Sequence, residues 1–497
     1  MKVSIFAKKS VSILAVTSML LVSACSSGTK EEGAEGKEER QAIDIVLSNA
    51  GRKFPQGMDE NNNPYIDYIR ENTGLDIKLI TPPADGYGDA LNVIMASDDL
   101  PDMLLSYDAN WFESYVRQKA LTPLNDLIDE YGPNLKKSIP EEAWKVVTVD
   151  GKIYAIPGLN PIPGNEIMFA RKDWLDRLGL KPPATLEEYK EVIRAFAQDD
   201  PDGNGKDDTF GLILQENLGR VAPFIGAWGI QRGQWTERDG QLVNSSTLPE
   251  MKEALSYLAG LYKEKLIDPE WALNKMANVD EKVASGKVGL FSGNWYDTRG
   301  PILTNQKNDP NAEWITLEYP TGPDGKQGTW GNSYVSGFNV IPVTSKHPEA
   351  VIKMLDFMIG DGYRTLMLGF EGEVWNMEDG KVVTNFDEHN KHIYRLTLGE
   401  AIVPFNSEVS RERLDSLGME FKLNEIVDKI SEVAIRNQYL GVPTPGMGKY
   451  GPKLSKMEVE AFTKIIIGQQ PVDSFDQFVE DWKKNGGEEM TKEVNGQ

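Results

Sequence analysis

Cysteine is almost missing from this chain: Cys25 is the only one in 497 residues. Without a second thiol no disulfide framework exists, so the fold has to stand on its core. Histidine is nearly as scarce, with three copies. His389 and His392 lie at i, i+3 beside Asp387 and Glu388. No third ligand stands at a recognisable metal spacing, so the pair reads as a solvated helix face. The chain also lacks a G-x-x-x-x-G-K-[ST] phosphate loop, which excludes its being its own ATPase. Neither G-x-S-x-G nor H-E-x-x-H occurs. Basic residues are outnumbered, 53 against 76 acids, for a formal net charge of -23. That balance argues against nucleic acid and against a basic membrane-binding patch.

What is present begins at the N-terminus. Lys2, Lys8 and Lys9 precede a mostly apolar stretch, residues 11–22. This stretch is shorter than the ~20 apolar residues that cross a bilayer, and the small residues Ser23 and Ala24 follow it, as at a signal-peptidase site. Leu21-Val-Ser-Ala-Cys25 resembles a bacterial lipobox, in which the Cys25 thiol takes a diacylglyceryl group and becomes the new N-terminus. Two acyl chains anchor stably where one is marginal, each buried methylene adding ~0.8 kcal/mol. Residues 1–24 are therefore expected to be a lipoprotein signal peptide. Its removal takes three positive charges and brings the net charge from -23 to -26. Residues 26–40 hold no large apolar side chain, so 25–41 is expected to be a flexible tether on the extracellular face of the membrane.

The 457 residues from Gln41 onward exceed what one core usually organises, and two lobes are expected. Short apolar runs at 43–47, 76–80 and 101–105 alternate with helical stretches, which points to an α/β lobe with a mostly parallel sheet. Ligands of such sheets sit at the carboxyl ends of the strands, here 48–53 and 106–111. Asp150-Gly-Lys-Ile-Tyr-Ala-Ile-Pro157 reads as a turn and extended run leading to a first crossing between lobes. A second crossing is placed at the extended run 337–342. Thr185 and Glu188 form a capping box for a helix with Leu186, Tyr189, Val192, Ile193 and Phe196 on one face. Lobe 1 is placed at 42–157 and 337–380, and lobe 2 at 158–336 and 381–497. Helical pieces are expected near 409–436 and 455–467, followed by an acidic, glycine-containing tail.

Several stretches together resemble family 1 extracellular solute-binding proteins, in the large lipoprotein subgroup with a built-in calcium loop. They are Leu100-Pro-Asp-Met103, the 150–157 stretch, Arg171-Lys-Asp-Trp-Leu-Asp-Arg-Leu-Gly-Leu-Lys181 with Thr185-Leu-Glu-Glu-Tyr189, Ser285-Gly-Lys-Val-Gly289, Ser345-Lys-His-Pro-Glu-Ala350, Lys464-Ile-Ile-Ile-Gly468 and the closing 486–495. The resemblance implies a two-lobed periplasmic-binding-protein-like fold of type II and no enzymatic activity. It also implies that a mono- or oligosaccharide is caught between the lobes and handed to the permease subunits of an ABC transporter. A monomer is expected.

Residues 199–211 read Asp-Asp-Pro-Asp-Gly-Asn-Gly-Lys-Asp-Asp-Thr-Phe-Gly. Asp200, Asp202, Asn204 and Asp208 occupy positions 1, 3, 5 and 9 of an EF-hand-type loop. Lys206 at position 7 offers its carbonyl, and Gly205 makes the sharp turn. Hard Ca²⁺ takes six to eight oxygens, which this spacing gathers around one point. Gly211 stands where the bidentate Glu of a true EF-hand would be, leaving water, Thr209 or a distant oxygen to close the shell. A structural Ca²⁺ is expected; the other reading is an acidic turn without an ion.

Sugars present apolar C–H faces and a rim of hydroxyls, which aromatic rings and polar side chains match. Of eleven tryptophans, Trp228, Trp295, Trp330 and Trp375 lie beside glycines and polar residues in expected loops. Asn49, Arg52, Asp108, Asn294, Asp297 and Glu373 are the polar groove candidates. An acidic sugar would give weight to Arg52, Arg171 or Arg232 through bidentate pairing. Two rivals remain: an anchored glycoside hydrolase using paired carboxylates, and a lipoprotein that senses sugars for a membrane receptor.

Overall fold

The run from Ile43 to Leu47 is apolar on both faces and buried throughout apart from Asp44, as a central strand covered by helices requires. The computed structural model describes residues 40–405, 407–418 and 420–496; the signal segment, Cys25 and the tether as far as Glu39 lie outside them. The first sheet has five strands in the order Leu75–Ile80, Gln41–Val46, Met103–Ser106, Val335–Val340, Ile156–Leu159. Its first three strands are parallel, and Val335–Val340 runs antiparallel to both its neighbours. Helix Pro64–Thr73 covers one side, begun by an Asn63 side chain that accepts the amides of Tyr65 and Ile66 and ended at the left-handed Gly74.

The second sheet places Glu166–Arg171 between Leu290–Asn294 and Trp314–Leu317. Both pairings are antiparallel, which corrects the expectation of a mostly parallel sheet in the second lobe. The α/β class itself stands. In each sheet the antiparallel strand is the one that enters from the other lobe. It runs away from the lobe boundary, whereas its neighbours run toward it, so Leu159 pairs with Val335 at the start of Val335–Val340 and Ser106 with Phe338. Asn294 likewise pairs with Glu166.

Two hydrophobic cores result. The first draws on 43–159, 335–367 and 394–403; the second on 162–319 and 414–494. The chain therefore crosses between them three times. The third crossing lies between Val403 and Leu414, beyond the boundary at 380 expected from sequence. Tyr394, Leu396, Leu398 and Ile402 pack into the first core, and the Asn339 side-chain amide donates to the carbonyl of Ala401 at 2.9 Å. The crossings touch closely. A Cβ on Gly164 would lie 2.7 Å from the carbonyl oxygen of Trp330, so only glycine lets these two segments meet. Beside them, Thr329–Trp330 pairs in parallel with Ala434–Ile435.

The Thr185–Glu188 capping box is formed, and the helix Leu186–Gln198 buries the predicted face. The turn at 150–151 closes a small hairpin between Thr148–Val149 and Lys152–Ile153. Asp150 and Gly151 both have positive φ, as a two-residue hairpin turn demands. The C-terminal tail is more ordered than its composition implies. Helices Ser474–Trp482 and Glu488–Val494 bury Trp482, Met490 and Val494 in the second core. Among the described residues no helix is long and apolar enough to cross a membrane.

Candidate functional site

A cavity of about 540 Å³ lies where the two cores meet. Tyr334 and Phe338 of the first core and the exposed Tyr107 line it on one side, and Trp235, Leu454 and Trp482 of the second core on the other. Its size falls within the roughly 300–1,000 Å³ of small-molecule sites, and its mixture of rings and a few polar groups is typical of them. Tyr107 is held here because it follows the strand Met103–Ser106, at the carboxyl end where a parallel sheet opens. Trp330, 38% exposed, also lines the cavity, so of the four predicted tryptophans it is the one that reaches it. The cavity lining carries one carboxylate, Glu458. That group is buried and engaged by Arg232 at 3.1 Å and by the Ser246 hydroxyl at 2.5 Å.

A second polar group adjoins Tyr107. Arg52 forms an ion pair with Glu400. Burial raises the Tyr107 hydroxyl, Glu400 raises it further, and Arg52 opposes both. Beyond Glu400 lies Arg413, whose guanidinium sits over the Trp295 ring at 5.6 Å from its centroid. Trp295 is half-buried, with the more exposed Tyr296 packed edge-on against it at 5.7 Å. Trp295 and Arg52 both neighbour Arg413, the first through its ring and the second through its charge.

The remaining candidates have structural duties instead. Trp375 is 4% exposed, donates its indole N–H to Gly369, and packs in a small apolar cluster. Trp228 is 7% exposed and donates to Glu253 at 2.8 Å. Glycine neighbours marked these residues as loop tryptophans, but a loop ring can turn inward as easily as outward. Asp108 caps helix Ala109–Arg117 by accepting the Asn110 amide. Asn49 accepts the Gly51 amide in a tight turn. Asp297 is buried against Arg220 and accepts the Asn294 amide in a capping box. Arg171 is buried between Asp173 and Asp309. Glu373 lies 3.4 Å from His392; with Glu388 these groups place three ligand atoms within 4.8 Å of one another. Glu373 is the third neighbour that sequence spacing could not supply. The Tyr65 hydroxyl meets the other His392 nitrogen at 2.8 Å.

Sequence reading did not single out Tyr107 and Arg436 in the cavity lining, or Glu400 and Arg413 near Arg52. Arg413 lies in Ser410-Arg-Glu-Arg-Leu414, which reads as a solvated helix, and nothing in the pattern marks it as inward-facing.

The loop after helix Leu186–Gln198 folds around its own acids. The Asn204 and Gly205 amides donate to Asp200, while the Asn204 side-chain amide donates to Asp202 at 2.7 Å and Asp208 at 3.1 Å. Asp202 and Asp208 therefore converge on one polar centre. Burial and the neighbouring Asp208 and Asp200 raise the Asp202 carboxyl, partly offset by the Asn204 amide. The carboxylates of Asp200, Asp202 and Asp208, with their mutual repulsion, fit a hard divalent cation, while Asn204 turns its amide nitrogen toward them and its oxygen to the Lys206 amide. Thr209 is turned to the Phe196 carbonyl at 2.8 Å. Gly211 has no room for any side chain, since a Cβ there would stand 1.9 Å from the Ile193 carbonyl oxygen. The EF-hand glutamate is sterically excluded at this position.

Comparison with known proteins agrees with this architecture. The family described as bacterial extracellular solute-binding protein matches residues 48–365. Lipoprotein LipO of Bacillus subtilis (strain 168) is 28% identical over 96% of this chain and 95% of its own length. The polygalacturonan/rhamnogalacturonan-binding protein YtcQ of the same organism is 27% identical over 94% of this chain and 93% of its own. The structure of the alginate-binding protein AlgQ2 without calcium ion superposes with a TM-score of 0.70 at 21% identity, covering 94% of this chain and 100% of that one. With two cores, three crossings and a cavity between them, the chain belongs to the bacterial extracellular solute-binding protein family.

Proposed function

We propose that this protein captures an oligosaccharide between its two lobes and delivers it to an ABC permease. A lipid on Cys25 would hold it at the outer face of the membrane. The observation that carries the reading is the ring-lined cavity at the meeting of two cores joined by three crossings. Membership of the family supports the binding role, and the names of YtcQ and AlgQ2 support a saccharide as the ligand class. The name of LipO supports the lipoprotein reading. A hydrolase would need two carboxylates about 5–9.5 Å apart flanking the bond to be cut, whereas the cavity lining carries Glu458 alone.

Closure follows from thermodynamics. The sugar contacts surfaces of both lobes only when they approach, so it favours the closed arrangement and shifts the population toward it. The 199–211 loop would hold a structural Ca²⁺ through Asp200, Asp202, Asn204, Asp208 and the Lys206 carbonyl. Such an ion would tie down the chain where it leaves helix Leu186–Gln198.

Calorimetry against a panel of neutral and acidic oligosaccharides, paired with small-angle scattering, tests the capture reading. Saturable binding with compaction supports it, and unchanged dimensions at saturation count against lobe closure. New reducing ends in the mixture would replace it with hydrolysis.

A further inference from the structure

Most half-buried or buried arginines in this chain are neutralised. Arg171 meets Asp173 and Asp309, Arg220 meets Asp297, Arg232 meets Glu458, Arg364 meets Glu412, and Arg411 meets Asp428. Arg395 is spent on the carbonyls of Met367 and His392. Three arginines break this rule. Among the described residues, Arg299, Arg413 and Arg436 have no carboxylate oxygen within 4.0 Å. Each has an aromatic face instead: Phe386 at 5.0 Å from Arg299, Trp295 at 5.6 Å from Arg413, and Tyr334 at 4.9 Å from Arg436. The Nε atoms of Arg413 and Arg436 are buried without a hydrogen-bond partner.

These groups adjoin the lobe boundary. Arg436 lines the cavity together with Tyr107. Tyr107 feels Arg52 and Glu400, and those two act on Arg413 together with Arg299. Glu400 is the one carboxylate among these groups, and Arg52 already holds it. Burial lowers the pKa of both Arg299 and Arg413, and for Arg413 the neighbouring Arg299 and Arg52 lower it further against the pull of Glu400. Leaving guanidinium groups desolvated and unpaired is costly. A chain with 76 acidic residues has no shortage of carboxylates to place beside them. A ligand anion is what this arrangement lacks.

We propose that the captured sugar is acidic, an oligosaccharide containing uronic acid. Its carboxylates are received by Arg413, with Arg299 near it, and by Arg436 in the cavity lining, while its ring faces lie against the aromatic side chains next to these arginines. The planar guanidinium fork matches a carboxylate bidentately, and neighbouring aromatic rings match sugar C–H faces. This inference rests on the sugar-capture reading and narrows it to one ligand class.

The test is calorimetry on the full-length protein in detergent with three probes: a tri-galacturonide, its fully methyl-esterified form, and a neutral trisaccharide. The free acid should bind best. Arg413→Gln should weaken it by about tenfold or more while leaving the methyl ester unaffected. Arg299→Gln provides a second variant should Arg413→Gln fold poorly, with thermal unfolding as the check. Equal or tighter binding of the ester or the neutral sugar would overturn the inference and leave sugar capture standing. Failure of every sugar in a wider panel to bind would overturn both.

Discussion

Arg220 and Asp297 form an ion pair at 3.0 Å with both side chains 5% exposed, and the same carboxylate accepts the Asn294 amide at the turn that presents Trp295. Arg220 also donates to the Ser292 carbonyl. Removing one partner of a buried pair strands the other charge, at a cost of about 3–5 kcal/mol. Asp297→Ala is expected to lower stability by that order in urea denaturation, and Asp297→Asn by less. An unchanged midpoint would return Asp297 to the pool of ligand-binding residues.

Trp295 and Trp375 should separate cleanly by mutation. Trp375 is core, so Trp375→Ala is expected to cost about 3–5 kcal/mol of stability. Trp295 is half-buried beside Arg413, so Trp295→Ala should cost less stability and weaken sugar binding instead. Thermal melts and calorimetry on the two variants check the split.

The acid loop predicts a cation-dependent melting temperature. Chelation should lower it, and excess Ca²⁺ should restore it, by about 2.7 kcal/mol when the free ion reaches a hundred times its Kd. Asp202→Ala should abolish the response. Gly211→Glu, which would complete an EF-hand on paper, should destabilise the fold, because its Cβ would meet the Ile193 carbonyl. Tighter Ca²⁺ binding by that variant would contradict the steric account.

His389 supplies a pH dependence. Its pKa is pushed down to about 3 by burial first, and then by Arg395, Arg413 and Arg299. The folded chain keeps this ring neutral while the unfolded chain takes a proton below about 6.5. Stability from this group is complete above about pH 6.5 and is lost as the pH falls toward 3, by up to about 1.4 kcal/mol per pH unit. His389→Gln should flatten that part of the profile. Parallel curves for the two proteins between pH 6 and 4 would show that His389 does not titrate on unfolding.

Local patterns carried much of this structure in plain view. The Thr185–Glu188 box depends on residues three apart, and the Asp200–Asp208 loop on a fixed spacing; both are set by backbone geometry that sequence displays. The third crossing was hidden because the apolar residues of 393–403 would suit either core. Trp228 and Trp375 were misjudged for a related reason: nearby glycines announce irregular backbone, not the direction of a side chain. Arg413 carried no signal, since a charged helix residue and a cleft arginine look alike until the neighbouring lobe is in place.

The three crossings bear on how this protein is made. Neither core is contiguous in sequence: the first is incomplete without Val403 and the second without Val494. A chain made N-terminus first can assemble fragments of the first lobe. It cannot close that lobe until much of the second has been made. The long-range pairing of 335–340 with 103–106 delays folding in the same direction. Interleaving the lobes thus makes the two cores finish together, late in the synthesis of the chain.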